Sequence, residues 1–117
     1  MKHYARALDL INKPHLIAEY EEHHKAVWPE VLAAIKHVGI LDMKIFRVEN
    51  RLFMQMITND DYDPDAASQY LSQHPMSIKW ELLMDRYQQK IEGTDVKEKW
   101  LPMTCCFDLA LAEKAAK

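Results

Sequence analysis

Hydrophobic and polar positions change period along this chain, and the changes divide it into elements. Residues 3–11 read as a strand. Beyond them the apolar positions recur at spacings of three and four. Leu16, Ile17, Tyr20, His24, Val27 and Val31 therefore share one side of a helix. Asn12 is placed to cap that helix, with Pro14 just inside it. Pro29 is expected to kink the helix or restart it near Trp28. Residues 30–38 continue helically, and Gly39 suits the position just past the end.

Residues 40–49 predict a second strand carrying Ile45, Phe46 and Val48. Asn50 and Arg51 predict a tight turn, and residues 51–59 a third strand paired to the second. The acidic stretch 59–64 reads as a loop, in which Asp63 can cap a helix beginning at Pro64 and running to about residue 73. Another helix is expected over 76–91, turning Ile78 or Trp80, Leu82, Leu83 and Tyr87 toward the core. A polar loop over 93–99 then leads to a last strand over 100–111. Residues 112–117 form a tail, frayed helix or disordered, outside a single domain over 1–111. The order β-α-β-β-α-β is the ferredoxin-like pattern of the α+β class. Its antiparallel sheet carries helices on one face, so the other face needs a cover, and a second copy of the chain, a homodimer, is the simplest one.

Composition narrows the function classes. With 117 residues, 49% hydrophobic and 28% charged, the chain suits one globular core. A net charge of −3 and the lack of a basic stripe argue against nucleic acid as partner. No apolar run approaches the ~20 residues that cross a bilayer. The first ten residues hold no signal-peptide core, which makes cytoplasm the expected location. Cys105 and Cys106 are adjacent, so a disulfide between them would be strained; two reduced thiols in a strand are expected. No metal-ligand spacing accompanies them or the His23-His24 pair.

The candidate chemistry gathers on the first helix. Tyr20 and His24 are four residues apart, and Trp28 four further, a column of phenol, imidazole and indole aimed along the apolar stripe. His23 lies about 100° round the helix and is expected to be more exposed. Aromatic and imidazole groups at helical spacing are also common as boundary residues with satisfied polar tips. Trp80 is either a core residue or a platform for the apolar face of a sugar, and Glu81 beside it reads as a solvated carboxylate. Arg6, between Ala5 and Ala7, needs solvent or a partner, and Asp9 lies on the opposite strand face. Met43 and the other methionines read as adaptable packing. There is no Gly-x-Ser-x-Gly motif and no glycine-rich phosphate loop. Chemistry on this chain is expected to need no covalent intermediate, cofactor or metal, which leaves proton transfer.

Taken together, Tyr20-x-x-x-His24-x-x-x-Trp28-Pro29-Glu30, Gly39-Ile40-x-Asp42-Met43-x-Ile45-Phe46-Arg47, Asn50-Arg51-Leu52-Phe53-Met54, Trp80-x-x-x-Met84 and Glu98-Lys99-Trp100-x-Pro102-Met103 resemble the L-rhamnose mutarotase family over nearly the whole chain. The resemblance implies a dimer of ferredoxin-like domains with associated sheets, of the dimeric α/β barrel type. It also implies cofactor-free exchange of the α and β anomers of a 6-deoxy-L-hexose. It puts the catalytic histidine at His24, the helix tyrosine at Tyr20 and the first of two paired tryptophans at Trp80. Two positions depart from the family pattern: Glu81 stands for the second tryptophan, and Met43 for a strand tyrosine. Both are expected to touch sugar, and both shift the expectation toward L-fucose. On this reading His24 moves a proton and Tyr20 orients it or bonds a hydroxyl. Trp80 and Trp28 pack on the sugar, Glu81 or a water serves the opposing proton step, and Arg6 and Met43 line the site. Three other readings fit the same residues: a sugar-binding module without turnover, a monooxygenase-like member of the dimeric barrel superfold, and a structural dimerisation domain.

Overall fold

The computed structural model describes residues 1–93 and 98–116. Its elements run β1 (Lys2–Leu10), α1 (Pro14–His23), α2 (Pro29–His37), β2 (Ile40–Val48), β3 (Arg51–Thr58), α3 (Pro64–Leu71), α4 (Pro75–Met84), β4 (Gln88–Gln89), β5 (Leu101–Pro102) and α5 (Leu109–Ala116). The sheet is antiparallel in the order β2-β3-β1-β4, with β5 also paired to β1. This is the ferredoxin-like order expected from the pattern, with the fourth strand in two pieces. Gln88 and Gln89 lie opposite Leu10 and Asp9, and Leu101 and Pro102 opposite Ala7 and Arg6.

Cross-strand register sorts the side chains by face. Leu8 sits opposite Leu52, Arg6 opposite Met54, and Tyr4 opposite Met56; Ile45 and Met43 follow on β2. Alternation puts all of these toward the helices. Leu8, Leu10, Leu52 and Met56 are almost fully buried there. Asp9 points the other way, as expected, and holds Arg51 through two hydrogen bonds of 2.8 and 3.2 Å. The outer face carries Ala5, Ala7, Phe46, Val48 and Phe53, with Phe46 50% and Val48 70% exposed.

Several local signals act as read from the sequence. Gly39 has φ +101° just after α2, and its carbonyl accepts from the Asn59 N–H at 2.9 Å. A β-carbon there would be strained and would meet the Asn59 amide at 3.4 Å. The Asp63 carboxylate accepts from the Asp65 N–H at 3.0 Å and opens α3, with Pro64 in the first turn.

Other expectations are corrected. The first helix is capped at Lys13, one residue after Asn12, and with no side-chain bond. The hairpin turn is Glu49–Asn50 rather than Asn50–Arg51. Glu49 takes φ 53°, and Asn50 ties the turn to β1 by donating to the Leu10 carbonyl at 3.0 Å. The helix expected to reach residue 91 stops at Met84, because Gln88 and Gln89 pair with the free edge of β1. Of the residues expected to face the core, Leu82 is exposed and Tyr87 is buried; of the alternatives Ile78 and Trp80 it is Trp80 that is buried, together with Met84.

The long last strand is two residues. Pro102 has no N–H to continue a ladder, and just beyond it the Met103 N–H donates to the Ala5 carbonyl of β1 at 2.9 Å. From Leu109 the run of Leu, Ala, Glu and Lys favours helix. Asp108 starts it, its carboxylate accepting from the Leu111 N–H at 3.2 Å. The thiols of Cys105 and Cys106 are free and exposed, but not in a strand. The polar loop expected over 93–99 lies partly outside the described residues.

Candidate functional site

The site grows from the break between α1 and α2. A residue before proline is pushed out of the helical region. Trp28 accordingly sits at φ −61°, ψ 135° ahead of Pro29, and α1 stops at His23. His24, at the C-cap, returns its ring to the helix end. Its Nδ1 lies 2.9 Å from the Tyr20 carbonyl oxygen. A carbonyl only accepts, so Nδ1 carries the proton in that bond and the neutral ring has its lone pair on Nε2. The Tyr20 and His24 rings lie 4.2 Å apart.

Trp80 arrives from α4 and closes the group. Its ring is edge-on to His24 at 5.4 Å and to Trp28 at 5.3 Å. Tyr20, Trp80, Tyr87, Leu10, Leu52, Val31 and Met84 form one buried cluster, with Trp28 and Trp100 packed against it. Tyr20, Trp80 and Trp28 are thus brought together with His24. Tyr20 and His24 meet directly, as their spacing suggested, whereas Trp28 joins them through Trp80 rather than by continuing the same helical column.

Burial sets the electrostatics. Tyr20 is 3% exposed, and loss of solvent pushes its phenol well above the ordinary tyrosine range, so it stays protonated. Partial burial lowers the His24 imidazole below its ordinary value, more than the Tyr20 carbonyl bond raises it. Near neutral pH the site therefore holds a neutral imidazole beside a neutral phenol.

Glu81 is exposed at the rim, where Lys99 bonds it at 3.1 Å and also pairs with Asp85. Met43 and Arg6 belong to the neighbouring part of the interior. Met43 packs against the cluster of Ile40, Met54, Met56, Tyr62 and Ala67, and the Arg6 charge acts on the Tyr62 phenol. Ile35, Ile45 and Trp100 touch both clusters. Two surface depressions, of about 330 Å³ around Tyr62 and Tyr70 and about 280 Å³ on the outer sheet face, include none of Tyr20, His24 and Trp80.

Three participants escaped the sequence reading. His23, expected to be the more exposed of the pair, is half-buried like His24, with Nε2 3.1 Å from the Tyr87 hydroxyl. Lys99 crosses from the segment before β5. Gln88 comes from β4, whose two residues give no strand signal in the sequence.

The L-rhamnose mutarotase family matches residues 3–109. An L-fucose mutarotase of Xanthomonas campestris is 40% identical over 102 residues, which cover 86% of this chain and 82% of the relative. An L-rhamnose mutarotase of Leptothrix cholodnii is 31% identical over 104 residues, covering 88% and 93%. Among solved structures, an L-rhamnose mutarotase from Formosa agariphila superposes with a TM-score of 0.69 at 21% identity, over 93% of this chain and 99% of that one.

Proposed function

Since the chain belongs to the L-rhamnose mutarotase family, we propose that it interconverts the α and β anomers of a 6-deoxy-L-hexose without a cofactor, with L-fucose preferred over L-rhamnose. The observation that carries the reading is the His24 ring. Its Nδ1–H is committed to the Tyr20 carbonyl, which leaves Nε2 as the base of a ring that stands against the Trp80 indole.

Mutarotation opens the pyranose, turns the aldehyde and recloses the ring. His24 Nε2 takes the proton from the anomeric hydroxyl as the bond between C1 and the ring oxygen breaks. A water at the Glu81 rim gives a proton to the ring oxygen. Rotation about C1–C2 exposes the other carbonyl face, and both proton transfers then reverse. Tyr20, a phenol throughout, donates a hydrogen bond to a sugar oxygen. Trp80, with Trp28 behind it, packs against the sugar's apolar face. Arg6 and Met43 contact the sugar from the adjoining interior. The preference for L-fucose rests on Met43 and Glu81, and on the higher identity to the relative named for that sugar. Hydroxyl configuration is what such a site discriminates.

The protein works as a homodimer in the cytoplasm. Phe46, Val48, Phe53 and Met103 on the outer sheet face, and Phe107, Leu109 and Leu111 beyond it, leave apolar surface for a second copy to cover. The radius of gyration, 15.7 Å, exceeds the ~13 Å of a compact chain this long. Saturation-transfer NMR on L-fucose, L-rhamnose and D-glucose tests the activity. Anomer exchange should accelerate most for L-fucose, less for L-rhamnose and not for D-glucose. Binding without accelerated exchange would make the protein a sugar-binding module instead.

A further inference from the structure

His23 is the last helical residue of α1, directly before the proposed base His24. The His24 ring depends on this helix end, because the Tyr20 carbonyl accepts both the His24 backbone N–H, at 3.3 Å, and Nδ1–H, at 2.9 Å. Helix ends fray, so such a pair of bonds opens readily unless the last turn is anchored. The structure supplies an anchor. His23 Nε2 lies 3.1 Å from the Tyr87 hydroxyl, and the two rings are 5.6 Å apart. Tyr87 is 4% exposed and belongs to the same buried cluster as Tyr20, whose ring it meets edge-on at 6.3 Å. Its backbone is held as well. The Tyr87 N–H donates to the Met84 carbonyl at 2.9 Å, and its carbonyl accepts from the Ile11 N–H at 2.8 Å. A phenylalanine would fill this cluster with no polar tip to satisfy, so packing alone does not call for the hydroxyl.

We propose that His23 is a positioning residue for His24: its hydrogen bond with the Tyr87 hydroxyl pins the last turn of α1 to the core, which keeps the Tyr20 carbonyl on His24 Nδ1 and leaves Nε2 bare. The inference rests on the mutarotase reading of the site. A neutral imidazole carries one proton, and the bond made by one ring nitrogen decides which nitrogen holds it. With the helix end free to open, His24 loses the carbonyl for part of the time. Its proton is then shared between both nitrogens, and a ring protonated on Nε2 cannot take a proton there. The ring also leaves the geometry in which it meets the sugar. His23 acts through its neighbour in this scheme, since its own Nε2 is engaged by Tyr87.

The test removes the bond from either end. Tyr87→Phe keeps the buried ring and deletes the hydroxyl; His23→Phe keeps a ring on α1 and deletes the nitrogen. Each should slow anomer exchange on L-fucose about tenfold, the usual weight of one neutral hydrogen bond, in kcat rather than KM. The double variant should be no slower than either alone. His23→Gln, whose amide can reach the same hydroxyl, should recover most of the wild-type rate. A second measurement needs no activity. In ¹⁵N-histidine-labelled wild type at pH 8, the His24 ring, assigned through His24→Ala, should show a protonated Nδ1 and a bare Nε2. In Tyr87→Phe and His23→Phe both nitrogens should shift toward intermediate values. Unchanged kcat, additive losses, no rescue by His23→Gln, or unmoved His24 signals would each overturn the proposal. Should one of the two Phe variants not fold, the other carries the test; should neither fold, the bond serves the core and the proposal is overturned. If the wild type accelerates no sugar's exchange, the mutarotase reading fails instead, and the His24 ring signals still judge the anchor.

Discussion

The neutral imidazole makes a sharp prediction about pH. His24 acts as a base only when Nε2 is unprotonated, and burial lowers its pKa from the ordinary 6.5. The working form therefore dominates through neutrality. An unperturbed histidine would be half protonated at pH 6.5. Here more than half of the plateau rate should survive at that pH, and the midpoint should lie below it. Further into acid, the rate should fall about tenfold per unit, as the neutral fraction does. The assay is anomer exchange on L-fucose by saturation-transfer NMR from pH 8 to pH 5, with the spontaneous exchange at each pH subtracted. The same shift affects folding. Since the folded state holds His24 neutral, the unfolded chain takes up its proton first, and stability contributed by the neutral ring is present above pH 6.5 and lost as pH falls toward the folded midpoint. A rate that climbs into acid would mean that the imidazolium does the work and would refute the assignment of Nε2 as base; a midpoint above 6.5 would contradict the lowering of the His24 pKa by burial.

Further outcomes test the surroundings. Trp80→Ala should cost about 3–5 kcal/mol of stability in denaturant melts, since the ring is 7% exposed and touches both His24 and Trp28; Trp80→Phe should fold well and raise KM for L-fucose, and an unchanged KM would remove the packing role. Phe46→Glu on the outer sheet face should shift the protein toward monomer in sedimentation, and an undisturbed dimer would place the interface elsewhere.

The sequence made the helix side of the molecule legible because its signals are local. Period-four spacing joined Tyr20 to His24, Pro29 broke the helix where it was expected to, and Asp63 and Gly39 marked element ends through their own backbone chemistry. The far edge of the sheet was hidden because its structure is set by pairing at a distance. Gln88 and Gln89 are polar and follow a helix directly, so nothing local separates them from its last turn; only the free edge of β1 makes them a strand. Leu109 onward has good helix formers, and Asp108 is a cap signal that could have been weighed against strand. Trp80 shows the same limit from the other side. Its residue type suggested a platform, but its place between His24 and Trp28 depends on how α4 packs across the sheet. Glu81, one residue on, faces outward to Lys99, which no spacing in the sequence connects to it.

The most direct measurement of the account is L-fucose anomer exchange in His24→Ala, set beside the wild type at pH 7.5 with folding checked by circular dichroism. The ring at the end of α1 should be worth about 10²–10⁴ in rate. A folded variant that exchanges the anomers at nearly the wild-type rate would contradict the claim that this imidazole carries the proton.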